Sequence, residues 1–119
     1  MEFVTFLGSD KEGWGQITAL VNRLEDCEKV ILVKDKNTTG FPKTEKCEFV
    51  DVDSSADLVK LIDEMSSGMG KLLSKEFEVA VSLASGNGKE HMATISALLN
   101  LPVGIRLVVY TREGVKFLT

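Results

Sequence analysis

The most informative stretch of the chain is Val79-Ala80-Val81-Ser82-Leu83-Ala84-Ser85-Gly86-Asn87-Gly88-Lys89. Its first half is a run of mostly small and branched aliphatic residues, which is typical of a strand buried on both faces. Its second half is a loop of serine, asparagine and glycine. Apolar residues at helical spacing follow this loop as far as Leu101, directly before Pro102. We therefore predict a strand, a glycine-rich turn and a helix in direct succession.

Strand and helix patterns alternate through the rest of the chain. In segment 15–26 the apolar residues fall at i, i+3, i+4 and i+7, which is one face of a helix. Another helix is predicted before the fourth strand, with Ser54 as its N-cap, Asp57 in the capping-box position and a kink or a split at Gly68 and Gly70. The predicted strands are Phe3–Leu7, Val30–Val33, Phe49–Val52, Phe77–Ala84, Ile105–Tyr110 and Val115–Leu118.

The connection between the second and third strands is unlike the others. From Asp35 to Lys46 it is rich in the turn formers Asn37, Thr38, Thr39, Gly40 and Pro42. A parallel crossover needs about a dozen residues, and this connection is about that long. We expect it to carry little or no helix.

Strands that alternate with helices predict an α/β protein. We expect a Rossmann-like three-layer sandwich with a mostly parallel sheet, in the strand order 3-2-1-4-5, and a C-terminal β-hairpin. The chain has 119 residues, of which 44% are hydrophobic. That length suits one domain with its own core, so residues 1–119 are predicted to form a single Rossmann-like domain.

Composition excludes several classes of protein. No run approaches the ~20 apolar residues of a membrane span, and Met1 does not open a secretory signal. Fourteen basic residues stand against 18 acidic ones, for a formal net charge of −4, and no dense basic cluster is present. Direct DNA binding is therefore not expected. We predict a cytoplasmic protein without membrane association.

Metal and redox chemistry are not indicated either. Cys27 and Cys47 lie far apart without CxxC spacing, and His91 is the one histidine. Two free thiols in a reducing compartment are the expected state. One histidine and two separated cysteines do not make a zinc site, so we predict no metal and no cofactor.

Glycine-rich loops mark the candidate site. In an open α/β sheet, ligands bind beyond the carboxyl ends of the strands, where the strand order reverses. In the predicted order this point lies between the first and fourth strands, and the loops that leave them are Gly8–Gly15 and Ser85–His91. Glycines let the backbone approach a ligand, and N–H groups at a helix N-terminus favour an anion such as a phosphate. The alternative, that the glycines only satisfy tight turns, stays open.

Common phosphate-binding motifs do not fit these loops. The Walker pattern G-x-x-x-x-G-K-[ST] requires glycine where Leu83 stands and Ser or Thr where Glu90 stands. The dinucleotide fingerprint lacks its third glycine, whose place is taken by His91. A phospho-acceptor site would need Mg²⁺ on carboxylates such as Asp10 and Asp51, and we interpret such strand-end carboxylates as helix caps.

Two aromatic residues belong to the candidate set, and each has more than one interpretation. Trp14, between Gly13 and Gly15, suits stacking on a base or ring, or packing against the core. His91, on the first turn of its helix, suits a hydrogen bond to a ligand, general-acid catalysis, or a neutral structural role.

The Val79–Lys89 stretch resembles the fourth-strand signature of CARF (CRISPR-associated Rossmann fold) domains, in which an aliphatic strand ends in a Ser/Thr-Gly-rich loop that opens a helix. It is most similar to the N-terminal sensor domains of archaeal CRISPR-associated transcription regulators. The resemblance implies a homodimer that senses a cyclic oligoadenylate, or another anionic nucleotide, between the loops after strands one and four. The predicted ligand-binding residues are Gly8, Ser9, Asp10, Trp14, Ser85, Gly86, Asn87, Gly88, Lys89, His91 and Met92.

Two other functions remain open at this point. Some relatives of this kind cleave their cyclic ligand, so a metal-independent ring nuclease is the enzymatic alternative, with Lys89 or Ser9 stabilising the phosphate. The second is an interaction domain on the same scaffold with no small ligand. We expect a binding module rather than an enzyme, and assign no catalytic residue.

Overall fold

The structure is a computed structural model, and it describes residues 1–74 and 76–119. In these residues one sheet of six strands is flanked by three α-helices. The strands are β1 (Glu2–Leu7), β2 (Lys29–Asp35), β3 (Cys47–Val52), β4 (Glu78–Ser82), β5 (Gly104–Thr111) and β6 (Gly114–Phe117). The helices are α1 (Trp14–Arg23), α2 (Leu58–Leu72) and α3 (Gly88–Asn100), and a short 3-10 helix, Lys11–Gly13, precedes α1.

The strand order is β3-β2-β1-β4-β5-β6. Strands β1 to β5 run parallel, and β6 returns antiparallel to β5 from a turn at Thr111–Gly114. The predicted fold class, its strand order 3-2-1-4-5 and its C-terminal hairpin are therefore confirmed. The order reverses between β1 and β4, which creates a crevice at the carboxyl ends of those strands.

Both faces of the sheet are covered, which explains the unbroken aliphatic runs. In β1 every residue is buried. Val4 and Phe6 pack in the core beneath α2 and α3, whereas Phe3 and Leu7 pack in the core beneath α1. The period of two along the strand therefore sorts alternate side chains into two separate apolar layers.

The connection from β2 to β3 has no helix, as its turn formers predict. It crosses the α1 side of the sheet, where Phe41 is buried in the same apolar cluster as Trp14 and Leu32. One inserted ring thus covers part of the surface that a crossover helix would cover.

The helix boundaries depart from the sequence predictions at three places. The N-cap of α2 is Asp57, whose carboxylate accepts from the N–H of Lys60; Ser54 lies earlier and bonds to Asp35 instead. Helix α1 ends at Arg23 rather than Asp26, because the chain is extended at Leu24 and left-handed at Asp26 (φ 56°). The predicted split of α2 does not occur in the described residues, since α2 runs unbroken from Leu58 to Leu72.

Gly68 lets α2 approach the sheet closely. A Cβ placed on Gly68 would collide with the side chain of Val50 on β3, whereas one on Gly70 would meet only Leu101 Cδ2, at 3.3 Å. We expect Gly68→Ala to lower the free energy of unfolding by about 1–2 kcal/mol, because overpacking outweighs the gain in helix propensity. Urea unfolding measures this.

Gly70→Ala is the matched control on the same helix. Its Cβ meets the mobile end of a leucine, so the variant should be at least as stable as the wild type. Equal stabilisation by both substitutions would contradict the close approach of α2 to β3.

Candidate ligand-binding site

The two glycine-rich loops meet at the point where the strand order reverses. The Gly8 N–H donates to Ser85 Oγ over 2.8 Å. A Cβ on Gly8 would lie 2.7 Å from the backbone nitrogen of Gly86, and Gly86 has a left-handed φ of 98°. Any larger residue at Gly8 would push the loops apart. The glycines therefore have a structural role, which holds whether or not a ligand binds.

His91 and Ser85 fix the shape of the second loop. His91 Nε2 lies 2.7 Å from the Ser85 carbonyl oxygen. A carbonyl only accepts, so Nε2 carries the proton in this contact. The Ser85 side chain is buried, with its hydroxyl already committed to Gly8. His91 thus braces the loop from the first turn of α3.

The N-terminus of α3 has a complete capping box. Asn87 Oδ1 accepts from the Glu90 N–H, and Glu90 Oε1 accepts from the Asn87 N–H, both over 2.9 Å. Asn87 is therefore engaged in the cap. At Gly88, a Cβ would meet nothing within 4 Å, so the first turn of α3 faces open space there.

Lys89 joins the loops after β3 and β4. Its Nζ donates to the carbonyl oxygens of Ser54, at 3.1 Å, and Ala56, at 2.5 Å. The sequence suggested a phosphate ligand at this position. In the structure the exposed ammonium lies over the β3–α2 turn.

Trp14 is a core residue. It is 8% exposed, its Nε1 donates to the Gly8 carbonyl over 2.8 Å, and the Phe41 ring meets it edge-on at 5.6 Å. The interpretation of Trp14 as a residue that packs against the core is therefore confirmed. Lys11 Nζ lies 5.5 Å from the centre of the Trp14 ring, which holds this ammonium beside the first loop.

The remaining predicted residues are divided between caps and open surface. Asp10 Oδ1 accepts from the Glu12 N–H at 3.0 Å and caps the 3-10 helix. Ser9 is exposed beside it, and Met92 lies exposed on the outer side of α3.

A cavity of about 360 Å³ opens beside the loop junction, and we call it the switch-point cleft. Its walls come from the loops after β1, β2 and β3 and from the first turn of α3. The sequence indicates only Ser9 and Trp14 among them, because the turn formers after β2 predict a connection and carry no sign that it lines a cavity. The lining residues are Phe6, Ser9, Lys11, Trp14, Asp35, Asn37, Thr38, Thr39, Ser54 and Glu90.

Asp35, at the carboxyl end of β2, organises one wall of this cleft. Its Oδ1 accepts from the Ser54 N–H at 2.9 Å and from the Ser54 hydroxyl at 2.8 Å, and its Oδ2 accepts from the Asn37 N–H at 3.0 Å. These bonds, those from Ser54 first, lower the pKa of the Asp35 carboxyl from its ordinary value. The carboxylate keeps lone pairs for a further donor.

The cleft combines one cation with two carboxylates and several hydroxyls. Lys11 supplies the positive charge, and Asp35 and Glu90 supply the negative charges. A carboxylate at the end of β2 is the group with which Rossmann-type sites hold ribose hydroxyls. The arrangement suits a ligand that carries both hydroxyl groups and an anionic group.

The described residues contain neither a metal-binding cluster nor a membrane-spanning helix. Among residues 1–74 and 76–119, no group of three or more His, Cys, Asp or Glu side chains is arranged to hold a metal ion. In that same part of the chain, none of the helices has the length and apolarity required to cross a bilayer.

Comparison with known proteins bears on the fold. No protein-family model and no curated protein matches the sequence. Among solved structures, the chain is similar to protein VC1899 from Vibrio cholerae, with a TM-score of 0.65 and 11% identity. The match covers 98% of this chain and 33% of that one, so this chain spans about a third of its length. At this identity the likeness shows the α/β fold alone.

The bonds to Asp35 predict a pH-dependent contribution to stability. Because its pKa is lower in the folded state, the carboxylate stabilises the fold above its unfolded pKa, near 3.8, and this is lost as the pH falls through the folded pKa. We expect Asp35→Asn to cost about 1 kcal/mol at neutral pH, a value reduced by solvent screening, and progressively less in acid. Thermal unfolding as a function of pH measures the difference.

The exposed Asp63 on α2 provides the control for this prediction. Asp63→Asn should unfold like the wild type at every pH. A constant gap between Asp35→Asn and the wild type from neutral to acidic pH would contradict a role for the ionised carboxylate.

Proposed function

We propose that this chain is a ligand-sensing module that binds an anionic nucleotide, of the cyclic oligoadenylate class, in the switch-point cleft. The observation that carries the proposal is the junction of the Gly8 and Gly86 loops beside a polar cavity of about 360 Å³. The resemblance of the Val79–Lys89 stretch to CARF domains supports the same ligand class. Both features point to the carboxyl ends of β1 and β4.

Different residues are suited to bind different parts of a nucleotide. Lys11, in the cleft, favours a phosphate because it carries positive charge, and the open first turn of α3 at Gly88, outside the lining of the cleft, presents N–H donors. Asp35 and Glu90 accept hydrogen bonds from ribose hydroxyls. Lys89 is held by the Ser54 and Ala56 carbonyls, so it adds positive potential at the rim of the cleft.

Local charge must overcome an unfavourable overall charge. The chain carries a formal net charge of −4, which repels an anion at long range. Salt screens this repulsion beyond about 8–10 Å, whereas contacts inside the cleft are screened much less. Binding therefore depends on Lys11 and the α3 N-terminus rather than on general attraction.

The outer face of α3 supports a homodimer. Met92 is 57% exposed and Leu99 is 60% exposed, and the half-buried Ile95 and Ser96 lie between them on the same face. Met92, Ile95 and Leu99 form an apolar stripe along this face. Ile95 packs partly against the core beneath α2 and α3, whereas the described chain leaves most of the Met92 and Leu99 side chains uncovered. Since α3 begins at the ligand loop, a twofold axis along α3 would bring two clefts to either side of it.

Ligand binding should raise the thermal midpoint. A ligand at one hundred times its dissociation constant adds about 2.7 kcal/mol, or roughly 10 °C for a domain of this size. We expect such a shift with cyclic tetra-adenylate or hexa-adenylate.

Lys11→Met should weaken binding about tenfold, since it removes one charge-assisted contact, whereas Lys71→Met, on the exposed last turn of α2, should not.

The recovered ligand distinguishes the two ligand-dependent functions. An intact ring identifies a sensor, and a linear product identifies a ring nuclease. If the midpoint does not move with either ring, the proposal is wrong, and an interaction domain without a small ligand becomes the better account.

A charged substitution on the outer face of α3 tests the proposed homodimer. We expect Leu99→Glu to convert the dimer to monomer, because an apolar interface does not tolerate an unpaired carboxylate. Leu118, 62% exposed near the terminal hairpin, gives a control of matched exposure, and Leu118→Glu should remain dimeric. Sedimentation equilibrium reports the mass, and a monomeric wild type would exclude the dimer.

A further inference from the structure

A second cavity, of about 280 Å³, lies directly beside the switch-point cleft, and we call it the crossover chamber. Thr38 and Thr39 line both cavities. The chamber exists because the β2–β3 connection crosses the sheet as a loop, whose residues Thr38 to Phe41 form the roof over Leu7, Lys34 and Phe49. A helix at this place would fill the space.

The floor of the chamber holds a buried cation. Lys34 is 9% exposed and follows the aliphatic residues Val30 and Leu32 on the α1 side of β2. Its Nζ lies 2.8 Å from Asp51 Oδ1, on the neighbouring strand β3. This ion pair uses one of its three N–H donors. Asp51 also lines the chamber, and its side chain is 56% exposed, so only the lysine end of this pair is buried. An ion pair open to solvent on one side adds little net stability, so the fold alone does not account for a lysine here.

Aromatic rings complete the lining. The half-buried Phe49 has Lys34 Nζ at 5.4 Å and Lys43 Nζ at 5.5 Å from its ring centre. Phe41 lies on the opposite side, in the roof. Rings flanked by ammonium groups form a surface for a flat, electron-rich ring that lies near negative charge.

Lys11 connects the two cavities. It lines the switch-point cleft, and its Nζ would lie 3.5 Å from a Cβ on Gly40, a residue of the chamber roof. An anionic group beside Lys11 would therefore sit at the junction. A ring attached to that group would reach the chamber, while its hydroxyls remain near Asp35 in the cleft.

We propose that the crossover chamber is the base-binding subsite and takes one purine ring of the nucleotide, against Phe49 and within reach of Lys34. The assignment of this ring to a cyclic oligoadenylate rests on the proposed function. The volume fits a single ring system, since it lies just below the ~300–1,000 Å³ of pockets that enclose a whole small molecule.

The test uses AMP, which carries one base and one phosphate, and ribose 5-phosphate, which lacks the base. In ¹H–¹⁵N spectra of the full chain, we expect AMP to shift the amides of Lys34, Thr39 and Phe49, and ribose 5-phosphate to leave Phe49 unchanged. Phe49→Leu keeps an apolar floor but removes the ring, and should weaken AMP binding about tenfold, the equivalent of a ~1.4 kcal/mol stacking contact.

Lys34→Met provides a second variant, because it keeps the apolar stem and removes the ammonium. It should weaken AMP binding as well. Glu48→Ala is the control: Glu48 adjoins Phe49 in sequence, is exposed, and points to the other side of β3. It should bind AMP like the wild type.

The outcomes separate this inference from the proposed function. If AMP leaves the chamber amides unshifted, or if Phe49→Leu binds AMP and the cyclic ring as tightly as the wild type, the subsite is refuted, even where the ring binds. If AMP binds at Phe49 but neither cyclic ring binds, the subsite stands as a purine mononucleotide site and the proposed function fails.

Discussion

The structure depends on the contact between the loops that leave β1 and β4. The Gly8 N–H bonds to the buried Ser85 hydroxyl, and the two chains approach so closely that Gly8 has no room for a side chain. Three residues earlier in each strand, Thr5 Oγ1 donates to the Ser82 carbonyl over 2.8 Å, also in a buried position. These bonds hold together the two strands from which α1 and α3 diverge to opposite faces. Because the crevice opens at this junction, its shape is set before any ligand arrives.

From this junction, side chains link the remaining loops to one another. Lys89 reaches the Ser54 carbonyl after β3, and Ser54 in turn donates to Asp35 after β2. On the other side of the sheet, Gln16 of α1 bonds to both the N–H and the carbonyl of Tyr110, beyond the end of β4. The side chain of Gln16 thus takes the place of a neighbouring strand there. These bonds tie the positions of the loops to one another.

The strands and their order followed from the sequence because the signals were local and repeated. Four consecutive aliphatic residues at Val30–Val33 indicate a strand covered on both faces, and parallel crossovers restrict the order. The location of the loop junction followed from the same order. The lack of helix after Asp35 followed from its turn formers.

Features that depend on distant partners did not follow from the sequence. Ser54 has the residue type of an N-cap, but Asp35 competes for its hydroxyl and leaves the cap to Asp57. Gly68 has the signature of a kink, but its function is set by Val50, which is remote in sequence. The walls of the cleft and the buried Lys34 depend on how the β2–β3 loop folds over the sheet, which no local pattern specifies.

Hydrogen exchange measured with and without cyclic tetra-adenylate, or hexa-adenylate if that ring binds more tightly, reports which backbone amides the ligand protects. A ligand bound at the junction slows exchange in residues 8–14, 35–41 and 85–91 and leaves the amino ends of the strands unchanged. Protection confined to other parts of the chain, or no protection at saturating ligand, would contradict a binding site at the junction of the two loops.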